Sequence, residues 1–134
     1  MRFNNPHEAV KIMQWNARSI STNLAYLIQH LADNNYQVLI LQSLNVNKNK
    51  LPRLPGYYYP PVHHKVDDTT KISAAIYIKE GTDYCVRSPP APNNVPDLYS
   101  CAIRVKLSDH LTMNIACVYL PKGPNDTNTE WIHN

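Results

Sequence analysis

At 134 residues, 43% hydrophobic and 17% charged, the chain holds enough material for one domain and not for two. A formal net charge of +3 permits a polyanionic partner without demanding one. The longest apolar runs, Val38 to Leu41 and Ala74 to Ile78, fall far short of the roughly 18 residues a bilayer span needs, so no membrane protein is expected. The opening Met-Arg-Phe-Asn-Asn-Pro-His-Glu lacks the layout of a secretory signal, which makes cytosolic or nuclear residence the default.

Val10 to Trp15 alternates as a strand does, with Trp15 read as core, and Arg18 to Ser21 follow as a polar break offering serines as N-caps. Leu24, Leu27, Ile28 and Leu31 then recur at i, i+3, i+4 and i+7, predicting an amphipathic helix over roughly Thr22 to Asn34. Asp33-Asn34-Asn35 supplies residues that tolerate a left-handed helix end. Val38 to Leu41 is a short continuous apolar run, which reads as a strand buried on both faces. The unit is β-α-β. Its two strands are parallel and end at the same edge of their sheet, the edge where such sheets place their sites. Asn16 is thereby expected close to Gln42 and Ser43.

Leu44 to Pro61 is rich in Asn, Lys and Pro and reads as a loop leading into a short tyrosine strand. The remainder predicts antiparallel strands at Ile72 to Lys79, Tyr84 to Arg87, Leu98 to Leu107 and Leu111 to Leu120. Turn chemistry separates them: Glu80 to Asp83, a stiff proline tract from Pro89 to Pro96, and Ser108-Asp109-His110, which should close a hairpin. Thr129 to Asn134 looks like the first turn of a helix. Cys85, Cys101 and Cys117 are odd in number and form no C-x-x-C pair, so they read as small apolar fillers on strands, not as a disulfide framework or zinc site. His63-His64 beside Asp67-Asp68 has metal-binding residue types, but adjacent strand residues face opposite ways and no further ligand is spaced to join them. A solvated loop is the expectation there.

Five blocks, Lys11-Ile-Met-Gln-Trp-Asn-Ala-Arg-Ser19, Val38-Leu-Ile-Leu-Gln-Ser43, Leu54-Pro-Gly-Tyr57, Ala75-Ile-Tyr-Ile78 and Asn114-Ile-Ala-Cys-Val-Tyr-Leu-Pro121, run in order over almost the whole chain. Together they resemble the endonuclease/exonuclease/phosphatase superfamily, in particular the endonuclease domain of non-LTR (LINE-type) retrotransposons. The resemblance implies an α/β (α+β) fold: an N-terminal β-α-β unit followed by antiparallel strands, about half of a four-layer αββα sandwich. Residues 1–134 would then be a single, C-terminally truncated domain of that type. It also implies Mg²⁺- or Mn²⁺-dependent cleavage of a phosphodiester, with DNA as partner. Carried over residue by residue, Asn16 and the position of Ser43 hold or orient the metal, and Tyr119 helps place the scissile phosphate.

Two departures shape the expectation. The family has Glu where Ser43 stands, and exchanging an anionic ligand for a hydroxyl weakens the binding of a hard cation. The family's later blocks, which orient the nucleophile and complete the site, are absent from this sequence. Ser108-Asp109-His110 has the composition of the family's final triplet but precedes the Tyr119 block, and so reads as a turn. Two functions are therefore carried forward: a metal-dependent DNA endonuclease of weakened or lost activity, and a non-catalytic remnant that binds nucleic acid or protein. Lys48, Lys50, Arg53, Lys65 and Lys71 are the candidate phosphate contacts, and an exposed sheet surface is expected to favour self-association.

Overall fold

The computed structural model describes residues 10–60, 63–64, 71–87 and 99–119. Strand β1 (Ile12–Asn16) lies parallel to β2 (Val38–Asn47), in register from Ile12↔Val38 to Asn16↔Gln42, and helix α1 (Ile20–Asp33) joins them. The β-α-β unit is thus formed. The two-residue strand β3 (His63–His64) and β4 (Lys71–Ile78) complete a mixed sheet of order β1-β2-β4-β3. Strands β5 (Asp83–Arg87), β6 (Tyr99–Ser108) and β7 (Leu111–Tyr119) make a second, antiparallel sheet. Asp109 and His110 turn the β6–β7 hairpin, the His110 N–H donating to Ser108 Oγ at 3.3 Å, so the Ser-Asp-His triplet is a turn.

The mixed sheet is the middle layer because its two central strands carry apolar residues on both faces. Leu39, Leu41, Ala75 and Tyr77 face Ile20 and Leu27 of α1 together with Leu51 and Leu54 of the segment after β2. Val38, Ala74, Ile76 and Ile78 face Cys101, Ile103, Val105, Ile115 and Cys117 of the second sheet. The described residues therefore stack as helix and loop, mixed sheet, antiparallel sheet: a mixed α+β arrangement dominated by strands. No helix among them is long and apolar enough to cross a membrane.

Several expectations need correction. The helix starts at Ile20, earlier than Thr22, and the hydroxyl of its N-cap Ser19 meets Thr22 Oγ1 at 3.3 Å instead of a backbone N–H. Its other end is extended, not left-handed: Asn34 has φ −136°, and its carboxamide donates to the His30 carbonyl at 3.0 Å, satisfying one of the acceptors a helix end leaves open. The tyrosine run is no strand. Pro55 and Gly56, the latter at φ +84°, close a turn in which the Tyr57 N–H donates to the Leu54 carbonyl at 3.1 Å. Tyr57 then makes a single bridge to Lys79 before Pro60, which has no N–H to extend a ladder. Strand β2 runs on to Asn47 where a loop was expected. His63 and His64 pair with Ala75 and Ala74, and so form a strand instead of a solvated loop. Cys101 and Cys117 are buried fillers directly opposite each other, whereas Cys85 is exposed along with the rest of β5. Trp15 packs against the helix-side core but is only partly buried. Asp67, Asp68, the proline tract and Thr129 to Asn134 lie outside the described residues.

Candidate functional site

The carboxyl ends of β1 and β2 meet as the topology requires: Asn16 is paired with Gln42. Past that pair the two chains stay laced together. The Ala17 N–H donates to the Gln42 carbonyl at 2.8 Å and the Ser19 N–H to the Ser43 carbonyl at 2.9 Å. From α1, the Asn23 carboxamide donates to the Ala17 carbonyl at 2.9 Å, holding the connection between strand and helix in place.

This edge is also where the backbone leaves its ordinary regions. The described non-glycine residues with positive φ are Arg18 (48°), Ser19 (89°), Ser43 (58°) and Asn45 (52°), and all four belong to it. Such conformations cost L-residues of order 1 kcal/mol each and persist where the surrounding structure over-determines them. In β2 they coincide with a break in register: between the pairs Gln42↔Ala74 and Val46↔Ile72 the strand carries more residues than β4 opposite it. The bulge turns Ser43, half-buried, out of the ladder, and leaves Asn16 exposed beside it.

Gln42 is the junction of the site. Its Oε1 accepts from the Gln14 side chain of β1, and its Nε2 donates to the Val118 carbonyl of β7. The bond to Val118 brings the end of β7, where Tyr119 lies, to the Asn16–Ser43 edge. One residue earlier, the Cys117 thiol donates to the Leu41 carbonyl at 3.4 Å. Only the backbone of Tyr119 is described, paired with Tyr99. Asn16, Ser43 and the Tyr119 strand end are therefore gathered at one edge. The sequence places Gln42 nearby but does not reveal its bridging role, although a glutamine closing an otherwise apolar strand run is a visible signal.

Of the basic residues, Lys48 and Lys50 sit on a 3₁₀ turn that directly continues β2, and Lys71 pairs with Asn47, so these three backbones converge beyond the bulge. Arg53 follows, exposed, with its guanidinium 5.0 Å from the centre of the Tyr59 ring. Lys65 lies outside the described residues.

Among the described residues, three groups have displaced pKa values, and none of them is a side chain of residues 16–19 or 42–45. Burial pushes the Tyr77 phenol up, with its hydroxyl donating to the Pro52 carbonyl at 2.7 Å. Burial likewise raises the Tyr57 phenol, whose hydroxyl donates to the Tyr36 carbonyl at 2.8 Å. The Cys101 thiol is raised by its hydrogen bond with Cys117 and by burial.

The donor set of the edge decides what it can hold. Residues 16–19 and 42–45 carry the carboxamides of Asn16, Gln42 and Asn45, that of Gln42 engaged by Gln14 and Val118, and the hydroxyls of Ser19 and Ser43; their one charged side chain is the guanidinium of Arg18. Mg²⁺ dehydrates reluctantly and is ordinarily held by one or two carboxylates with water and phosphate oxygens. Among the described residues no three His, Cys, Asp or Glu come together. The residues of the edge therefore do not fit a resident divalent cation. Hydrogen-bond donors around one guanidinium fit an anionic oxygen such as a phosphate. No protein-family model matches the chain, and no curated protein matches it.

Proposed function

We propose that the chain is a nucleic-acid-binding module built on the scaffold of a LINE-type endonuclease domain, and that it holds a phosphate backbone without cutting it. The ordered blocks support the scaffold, of which the helix layer, mixed sheet and antiparallel sheet would be three of the four layers of an αββα sandwich. The observation that carries the reading is the neutral-to-cationic edge at Asn16, Gln42, Ser43 and Arg18, in the position where the family keeps its anionic metal ligand. Phosphoryl transfer is accelerated by positioning and by electrostatic stabilisation, and the described residues of that edge, 16–19 and 42–45, include no carboxylate to anchor a metal. It retains groups that donate to phosphate oxygens, with Lys48, Lys50, Arg53 and Lys71 further along the chain as backbone contacts.

Two assays on the purified chain test this. Fluorescence anisotropy with a labelled DNA duplex should show binding that weakens steeply with salt, and replacing Lys50 and Arg53 by Ala should flatten that slope by about one for each phosphate no longer neutralised. A supercoiled plasmid should remain unnicked in Mg²⁺ or Mn²⁺. Nicking that requires the metal and vanishes in Asn16→Ala would replace this reading with that of an endonuclease. Ser43→Glu returns a carboxylate to the edge and should raise Mn²⁺ affinity.

Self-association is favoured by a separate observation: every residue of edge strand β5 is exposed, including Val86 at 52%. Sedimentation equilibrium should show concentration-dependent dimer that Val86→Lys suppresses.

A further inference from the structure

A cleft of about 120 Å³ opens between β1 and α1, lined by Met13, Gln14, Trp15, Tyr26, Leu27 and His30. Its walls are aromatic. The Trp15 and Tyr26 ring centres are 6.4 Å apart and tilted by 52°, and Tyr26 stacks on His30 at 6.2 Å with only 12° between planes. The His30 ring is itself fixed at both nitrogens, Nε2 lying 2.9 Å from the Tyr36 hydroxyl and Nδ1 3.4 Å from the Asn34 carboxamide nitrogen. That pair of contacts locks the plane against which Tyr26 rests. Tyr26 is nevertheless 68% exposed, so a large aromatic face is held in a set orientation and left to solvent.

Gln14, which also lines the cleft, adds polar groups at the sheet edge. The Lys11 carbonyl accepts from the Gln37 N–H and the Ala17 N–H donates to the Gln42 carbonyl, so the odd-numbered residues along β1 direct their backbone groups to β2. By the two-residue alternation of a strand, the N–H and C=O of Gln14 are turned to the outer edge, where β1 pairs with no other described strand. An adjacent donor and acceptor on one extended residue thus stand next to a fixed aromatic wall.

We propose that this cleft binds a single planar nitrogen heterocycle of the nucleobase class, stacked on Tyr26 with its donor–acceptor edge against the Gln14 backbone. Aromatic faces take any base because every base has a π-face, and an adjacent N–H and C=O match the paired donor and acceptor of a base edge. The volume is below the ~300–1,000 Å³ of sites for drug-sized ligands, which suits one ring system and not an entire dinucleotide cofactor. The base can belong to a free nucleoside or to an unpaired strand. This site stands independently of the reading of the carboxyl edge.

Trp15 reports on it directly. The chain has two tryptophans, so Trp131→Phe leaves Trp15 as the sole indole fluorophore. In that background, adenosine and the octanucleotide d(A)₈ are titrated separately. Saturable quenching is expected, with Tyr26→Ala weakening binding by about 5- to 150-fold, the span of one base–aromatic stack, and Tyr26→Phe restoring it to within about twofold. Tyr26 is largely exposed, so both variants should fold. Quenching by adenosine and d(A)₈ alike supports the site for either source; quenching by only one supports it and assigns the source. Absence of saturable quenching by both probes overturns the proposal, as does affinity unchanged in Tyr26→Ala. Quenching by an extended apolar peptide and by neither base-bearing probe also overturns it, and makes the β1 edge a strand-pairing surface.

Discussion

Gln42→Ala isolates the contact that fastens the candidate edge to the second sheet. The substitution removes two hydrogen bonds, one from Gln14 and one to the Val118 carbonyl. A net intramolecular bond contributes about 0.5–1.5 kcal/mol, so two give about 1–3 kcal/mol. The lower half of that range is expected. Gln14 is exposed and Val118 is 39% exposed, so both abandoned partners can turn to water instead of being stranded. The apolar contacts between the sheets are untouched. Urea unfolding followed by far-UV circular dichroism should therefore show a lower midpoint at unchanged m-value, corresponding to about 1–2 kcal/mol. A double-mutant cycle with Gln14→Ala should return a coupling of about 0.5–1.5 kcal/mol. A loss under about 0.5 kcal/mol for Gln42→Ala, or strict additivity with Gln14→Ala, would refute the reasoning: Gln42 would then not be the link between β1 and β7.

Ser43→Gly relieves a left-handed conformation at φ 58° and should stabilise the chain by about 0.5–1 kcal/mol after the entropic cost of glycine, raising Tm by about 2–4 °C; an unchanged or lower Tm would show that Ser43 stores no strain. Ile76→Ala empties a fully buried position between the two sheets and should cost about 2–5 kcal/mol in the same urea assay, whereas a loss below 1 kcal/mol, on the order of a surface change, would contradict the packing described. Stability should also fall at alkaline pH. In the unfolded chain the thiol and phenol ionise near 9.0 and 10.0, while Cys101 and Tyr77 keep their protons in the folded state. The unfolded state then binds fewer protons, so stability is level at neutral pH and declines from about pH 9 upward. Cys101→Ala should remove the earlier part of that decline, and a flat profile to pH 11 would contradict the burial of these groups.

The β-α-β unit was legible because its signals are local and agree: a single helical stripe, one apolar run, and the topological requirement that parallel strands end together. Asn16 beside Gln42 followed from that alone. The turn at Ser108 to His110 was legible for the same reason, since the side-chain preferences of Ser and Asp determine it. What escaped was set by tertiary context. The tyrosine run has strand composition, but Pro60 closes off its ladder and Tyr57 is used to bond the Tyr36 carbonyl. At Asn34 the side chain, not a left-handed backbone, does the capping. The extension of β2 to Asn47 was written in the sequence but in broken phase. Leu39 and Leu41, then Leu44 and Val46, all reach the helix-side core, and the interval of three in the middle disguises one strand as a strand followed by loop. The neutral side chain at position 43 was readable from the sequence, whereas the guanidinium of Arg18 gained meaning only once the two chain segments were laced together.

The same broken phase appears in β4, where Ile72 shares a core with Ala75 and Tyr77 although an unbroken alternation would separate them. Both partners carry the shift, at the same height in the sheet. If pairing ran straight through, Val46 and Ile72 would be turned away from the hydrophobic cluster they now fill. The crook that presents Ser43 is consequently enforced from behind, by the oily residues on either side of it. Its contour and its chemistry are therefore separable: exchanging the polar side chains at the rim leaves in place the apolar packing that sets the bend.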